Sequence, residues 1–264
     1  MSELVLSIFP GIDLLGRGFE ERGFCVVRGP DKLWGGDVRD FHPPASVFDG
    51  IIGGSPCQDF SRARRSAPTG YGLEMLNEFV RVVTEAKPKW FLLENVPTVP
   101  DVTVPGFHMQ RFDLNARECG MRQRRLRHFQ FGSRDGSFLS PDRSFTNGPV
   151  EIIALASEGA KVGRRDWPSF CRVQGIEDPL DLRHLTIKGR YLAVGNGVPL
   201  PMARVLAAAV TDREVTKGRK YCACGCGRPV TELSSYAGAA CRKRAQRRRE
   251  SVNELQTGAA CLSR

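Results

Sequence analysis

The chain has 264 residues, 41% of them hydrophobic, enough to bury a full core as one domain with an appendage or as two. It holds no run of about 18 apolar residues, so no membrane span is expected, and Met1-Ser2-Glu3-Leu4-Val5-Leu6 lacks the basic flank and cleavage site of a secretory signal. Nine cysteines, an odd number without secretion, point to reduced thiols and a cytoplasmic chain, while residues 217 to 249 carry ten Lys or Arg against one acid, Glu232, of a formal net charge of +10.

In chain order, Leu4 to Phe9 reads as a first parallel strand. Pro10 to Glu20 follows as a glycine-bearing turn into a helix, an arrangement that serves nucleotide-like ligands or is simply a tight turn. Cys25-Val26-Val27 reads as a second strand, and Gly36-Asp37-Val38 as a turn whose acid can meet a ribose hydroxyl or an adenine amine, or cap the turn. Phe48 to Ile52 is a buried strand ending in Gly53-Gly54-Ser55-Pro56-Cys57-Gln58, where the glycines allow close approach to the main chain and Cys57 is a candidate nucleophile or a small buried hydrophobe. Arg62, Arg64 and Arg65 belong to a loop suited to closing over phosphates. Leu73 to Ala86 has a helical period, and Trp90 to Leu93 is a strand that delivers Glu94-Asn95-Val96-Pro97 at its carboxyl end. Arg125 and Arg127 alternate on a strand and so point the same way, residues 133 to 165 show little periodicity, and Tyr191 to Pro199 leads into an apolar helix, Met202 to Val210.

The order Phe-x-Gly, Gly-Asp-Val, Pro-Cys-Gln, Glu-Asn-Val, Gln-x-Arg-x-Arg and Gly-Asn-x-Val-Pro over residues 4 to 210 resembles the DNA cytosine-5 methyltransferases. The resemblance implies an α/β class I methyltransferase fold, Rossmann-like, with a mostly parallel seven-stranded sheet, and S-adenosylmethionine as methyl donor. It implies double-stranded DNA as partner, with any cognate restriction endonuclease not identifiable from the sequence. Cytosine C5 is too weak a nucleophile to attack a sulfonium methyl unaided, whereas a thiolate adding to C6 turns C5 into an enamine carbon. Cys57 matches the family's nucleophile and Glu94 the acid that protonates N3, with Arg127 orienting the base or Glu94 and Arg125 supporting the site. The cytosine must leave the duplex to be reached. For the donor, Phe9, Gly11 and Ile12 match the first cofactor loop, Asp37 and Val38 the adenine contacts, Pro56 a contact near the site, and Asn196 and Gly197 the late motif.

The chain departs from the family in four places. The second strand lacks the usual ribose-binding Glu, its nearest acid being Asp31, and Asp13 and Leu14 stand where glycines are usual. A helix is missing after Glu94, and the target-recognition region shrinks to about 33 residues, 133–165. The expected organisation is a catalytic and donor-binding core over 1–132, that short region over 133–165, a return to the cofactor site over 166–210, a linker over 211–219, a basic module over 220–249 and a disordered tail over 250–264. In the module, Cys222, Cys224, Cys226 and Cys241 resemble the ligands of a structural zinc, against a metal-free basic tail, although the first three are spaced as Cys-x-Cys-x-Cys. The other functional readings are methylation of RNA cytosine, as in the transfer-RNA branch of the family, and a non-catalytic nucleic-acid-binding relative; intact Cys57, Glu94 and Arg127 argue against the latter.

Overall fold

In the computed structural model, residues 2–61, 66–151, 153–215, 222–224, 230–231 and 233–246 are described. Four strands form the parallel part of the main sheet: β1 (Leu4–Ile8), β2 (Cys25–Arg28), β3 (Gly50–Gly54) and β4 (Trp90–Asn95). Two longer strands, β5 (His108–Asn115) and β6 (Leu126–Ser133), complete it in the order β2-β1-β3-β4-β6-β5. β4 pairs with β6, and β6 with β5, in antiparallel register. The sheet therefore has six strands among the described residues, not the expected seven, and it is mostly parallel as expected, since β5 runs with β1 to β4 and β6 runs against them. The chain crosses back from Asn95 to His108 without a helix, and after β5 a short 3₁₀ turn, Ala116–Glu118, whose Asn115 cap is reciprocated by Glu118, leads into β6, which inserts between β4 and β5 in the opposite direction.

Successive strand residues feed opposite faces, as the pleat requires. Val5, Ile52 and Leu92 pack with α1 (Leu14–Glu20) and α5 (Leu200–Thr211), whereas Leu6, Ile51, Phe91 and Leu93 pack with α2 (Tyr71–Ala86). Phe79 of α2 is fully buried and meets Phe91 edge-on with ring centroids 5.8 Å apart; its truncation to Ala would cost about 3–5 kcal/mol. The short α3 (Trp167–Val173) and α4 (Ile187–Asn196) build a third cluster around Phe170, Tyr191 and Val194 that reaches Leu14 at the start of α1.

Several expected boundaries move for local reasons. The third strand is shifted to include Gly53 and Gly54: a Cβ on Gly53 would come within 2.6 Å of the Ile8 carbonyl oxygen, and one on Gly54 within 2.8 Å of Glu94 Oε2. The close approach these glycines permit is to the protein's own strands. The stretch Ile187–Thr211 is long and apolar enough to cross a membrane by length and composition alone, but it is broken at Gly197-Val198-Pro199 into α4 and α5, and most of it is buried in the core. The expected linker is partly structured: Glu214–Val215 form β8, antiparallel to β7 (Ser137–Phe138), and Arg213 pairs with Glu3 Oε1 at 2.6 Å. Arg62, Arg64 and Arg65, the linker beyond 215 and the tail over 250–264 lie outside the described residues.

Candidate active site

The carboxyl ends of β1, β3 and β4 and the end of α4 surround a cavity of about 450 Å³. Its floor is the turn after β1, in which Phe9, Gly11 and Asp13 all adopt the left-handed region, at φ 53°, 55° and 54°. Two of the three are not glycine, so the turn is held from outside. Asp31 Oδ2 accepts from the Gly11 N–H at 2.8 Å, and the Trp34 indole N–H donates to the Gly11 carbonyl at 2.7 Å. Asp13 caps α1 through the Gly16 N–H, accepts from the Ser7 hydroxyl at 2.8 Å, and meets Arg28 at 3.0 Å. Burial raises the pKa of its carboxyl despite these partners. On the wall, Asp37 caps the turn Val38–Asp40, and its bonds to Arg39 hold its carboxyl well below the usual range.

On the other side, Cys57 follows β3 at φ −101°, ψ 0°. The loop before it is fastened by Asn95, whose side-chain amide donates to the Ser55 carbonyl at 3.0 Å and to its hydroxyl oxygen at 2.9 Å, and whose Oδ1 accepts from the Val96 N–H at 2.8 Å. Glu94, the residue before Asn95 on β4, is 7% exposed. The antiparallel pairing of Asn95 with His128 brings Arg127 beside it, with Arg127 Nε 2.9 Å from Glu94 Oε1. Burial raises the Glu94 pKa, with Arg127 and then Arg125 opposing it. Burial also raises the Cys57 pKa, the Glu94 charge adds to this, and the two arginines pull it down. The site thus favours a protonated carboxyl and a thiol that ionises best when Glu94 is neutral.

Of the sequence-predicted residues, Cys57, Glu94, Arg127, Phe9, Gly11, Ile12, Asp31, Asp37, Val38, Pro56, Asn196 and Gly197 all line this one cavity. Arg125 does not. It precedes β6, is 4% exposed, and donates to the carbonyls of Ala154, Gly195, Asn196 and Gly197 at 2.8–3.3 Å, fixing the cavity's far wall. Burial pulls its pKa down to about 9, which still leaves it charged at neutral pH.

Several residues that build or line the site escape the sequence reasoning. Asn95 and Gln123 stand inside the motifs quoted above but carry no role there. The Gln123 amide donates to the Val173 carbonyl at 2.6 Å and to Gln174 Oε1 at 3.0 Å, and the Gln174 amide donates to the carbonyls of Val194 and Gly197. Tyr71, Met75 and Leu192 also line the cavity; the apolar character of the last two gives no signal distinct from core packing.

In the C-terminal module, the thiols of Cys222, Cys224 and Cys241 are buried and lie within 4.8 Å of one another. The Ala237 N–H donates to Cys222 Sγ at 3.2 Å. Cys226, the fourth residue of the expected set, lies outside the described residues.

Residues 31–103 match the family model for the C-5 cytosine-specific DNA methylases. The Type II methyltransferase M.XorII of Xanthomonas oryzae pv. oryzae is 30% identical over 213 residues, covering 61% of this chain and 49% of the relative. The Type II methylase M.HgiDII of Herpetosiphon aurantiacus is 28% identical over 220 residues, covering 69% and 62%. Over these spans the chain is similar to the C-5 cytosine-specific DNA methylases and to Type II methyltransferases. It spans about half the length of most of the curated relatives it matches. A methyltransferase of Entamoeba histolytica has the same fold, with a TM-score of 0.60 at 13% identity over 80% of this chain and 98% of its own. A putative DNA modification methyltransferase encoded within a prophage (E. coli) aligns with a TM-score of 0.55 at 17% identity, covering 80% and 99%. The fold is thus that of the class I methyltransferases, built here on a six-stranded mixed sheet.

Proposed function

We propose that the chain is a DNA cytosine-5 methyltransferase that acts through a covalent Cys57 adduct. The observation that carries this reading is the Arg127–Glu94 pair on the same cavity as Cys57, with the Glu94 pKa raised by burial. A flipped-out cytosine meets Cys57 at C6 and Glu94 at N3. The thiolate adds to C6 while the Glu94 carboxyl delivers its proton to N3, so that the electron pair arrives at C5 as an enamine and not as a ring anion. Arg127 fixes the carboxyl and compensates its charge once the proton has gone. After C5 is methylated, a water-borne base removes its proton, the pair re-forms the C5–C6 double bond, Cys57 leaves as thiolate, and N3 returns its proton to Glu94.

S-adenosylmethionine supplies the methyl group when bound. The cavity suits it: Phe9, Ile12 and Val38 offer apolar surface, Asp31 and Asp37 offer carboxylates to ribose and adenine polar groups, and the volume falls in the range for such ligands. The reduced thiols fit a cytoplasmic enzyme. We propose further that Cys222, Cys224 and Cys241 are thiolate ligands of a structural zinc, with Cys226 nominated by sequence as the fourth. Three buried thiols within 4.8 Å have little other reason to share one site.

The test is methyl transfer from labelled donor to duplex DNA and to transfer RNA, together with adduct trapping on 5-fluorocytosine DNA. The parent should methylate duplex DNA and form a denaturation-resistant adduct, and Cys57→Ala should do neither while still binding DNA. Turnover by Cys57→Ala would refute the covalent mechanism, and transfer to RNA alone would move the substrate to the other branch of the family.

A further inference from the structure

A second cavity of about 370 Å³ lies between the 163–167 segment and α4. It shares α4 with the first: Gly189, Leu192, Ala193 and Asn196 line the large cavity, whereas Ile187, Arg190 and Tyr191 line this one. That alternation at three- and four-residue steps makes the helix a wall between them. The cleft is rigidly built. Arg165 is tied to Glu158 and to the Ile153 carbonyl at 2.9 Å, the Tyr191 hydroxyl donates to the Arg165 carbonyl, and the Trp167 indole N–H donates to the Leu180 carbonyl at 3.0 Å.

Two cations on it are left over. Arg164 is exposed and has no ion pair among the described residues. Arg190 lies with its guanidinium 5.3 Å from the centre of the Trp167 ring, and its buried Nε has no hydrogen-bond acceptor among the described residues. The acid lining the cleft, Asp166, is engaged by Ser169 as the cap of α3. A buried guanidinium N–H without an acceptor is costly, and a planar fork stacked on an indole is pre-organised for an oxyanion. We propose that this cleft is a phosphate site, in which Arg164 and Arg190 take a phosphodiester of the substrate nucleic acid outside the catalytic cavity. The proposal rests on the reading that the chain acts on duplex DNA.

The experiment measures binding of the full chain to duplex DNA at several salt concentrations for the parent, Arg164→Ala, Arg164→Ala/Arg190→Gln, and Arg183→Ala. Arg183 is exposed, pairs with Asp181 and does not line the cleft, so it serves as control. Removing one phosphate-binding cation should lower the slope of log affinity against log salt by about 0.9, equally for all DNA sequences, with the KM for the methyl donor unchanged. Arg164 is a surface residue, so its single variant reports even where the double variant fails to fold. A parental slope in Arg164→Ala, or an equal loss in Arg183→Ala, overturns the proposal and leaves the catalytic reading standing. Stabilisation of the parent by inorganic phosphate with no change of DNA slope in the variants would make the cleft a small-anion site and equally overturn it. A parent that neither binds nor methylates duplex DNA fails one step earlier, at the reading itself.

Discussion

Arg127 on β6 and Glu94 on β4 meet at 2.9 Å across an antiparallel strand pair, although 33 residues of chain separate them. The pairing gives one carboxyl two opposed influences: burial raises its pKa and the guanidinium lowers it, with burial the larger. Cys57 feels the charge of both.

The first prediction concerns the coupling of that pair to the thiol. The Glu94 charge raises the Cys57 pKa above its ordinary 9.0 and the Arg127 charge lowers it. Glu94→Gln should therefore shift the pH profile of Cys57 alkylation to lower pH, and Arg127→Gln to higher pH, measured in a Cys25→Ser background because Cys25 is the exposed competing thiol among the described residues. Shifts in the same direction would mean that burial alone sets the thiol. In turnover, Glu94→Gln should lose about 10²–10⁴-fold, since an amide cannot deliver a proton to N3.

Gly54→Ala tests the packing that aims the carboxyl. The added methyl would stand 2.8 Å from Glu94 Oε2, and the flexible carboxyl must yield. We expect kcat to fall by about 10²-fold through misplacement of the acid, with the KM for the methyl donor and the melting temperature little changed. An unchanged kcat would show that Glu94 is not held where catalysis needs it.

Arg125→Met removes a donor from the carbonyls of Ala154, Gly195, Asn196 and Gly197, three of them in the segment at the end of α4 beside the cavity. Losing these bonds should cost about 3 kcal/mol, read by denaturant unfolding, and should raise the KM for the methyl donor. A variant of parental stability would mean that water replaces the guanidinium.

The elements at the centre of the sheet were legible because their strands are apolar runs ended by turns, and the candidate site residues because each stands in a short motif at a strand end. Cys57, Glu94 and Arg127 line one cavity. What was not legible is set by partners far away in sequence. Gln123 and Gln174 bond over 51 residues, and Arg125 reaches Gly197 over 72; no local period encodes either. Gly53 and Gly54 looked like the end of a strand because glycine usually ends one, yet here a neighbouring carbonyl and carboxylate require it within the sheet. The missing helix after β4 was visible in the sequence, whereas the insertion of the reversed β6 between β4 and β5 depends on pairing with strands far away in the chain and was not.

The last prediction concerns the C-terminal module. Ending the chain at Thr216 keeps β8 and the Arg213–Glu3 pair, and the helix α5 that carries the Gly-Asn-Gly-Val-Pro motif into the core is complete by Thr211. An ion pair of Arg244 with Asp113, at 3.8 Å and half-exposed, joins the module to the body, and Asp113 keeps His128 at 2.7 Å without it. Such a pair is worth little, about 0–1 kcal/mol, so the truncated chain should fold and bind the methyl donor as the parent does. Its DNA affinity should fall and its salt slope flatten, because residues 217 to 249 carry ten Lys or Arg against one acid. In the full chain, Cys241→Ser should release bound zinc, measured as metal per chain, and weaken DNA binding in the same direction as truncation, because the basic residues then lose the frame that orients them. A truncated chain with the parental salt slope would show that the module does not touch DNA. A Cys241→Ser variant that keeps its zinc would remove the metal from the account of the module altogether.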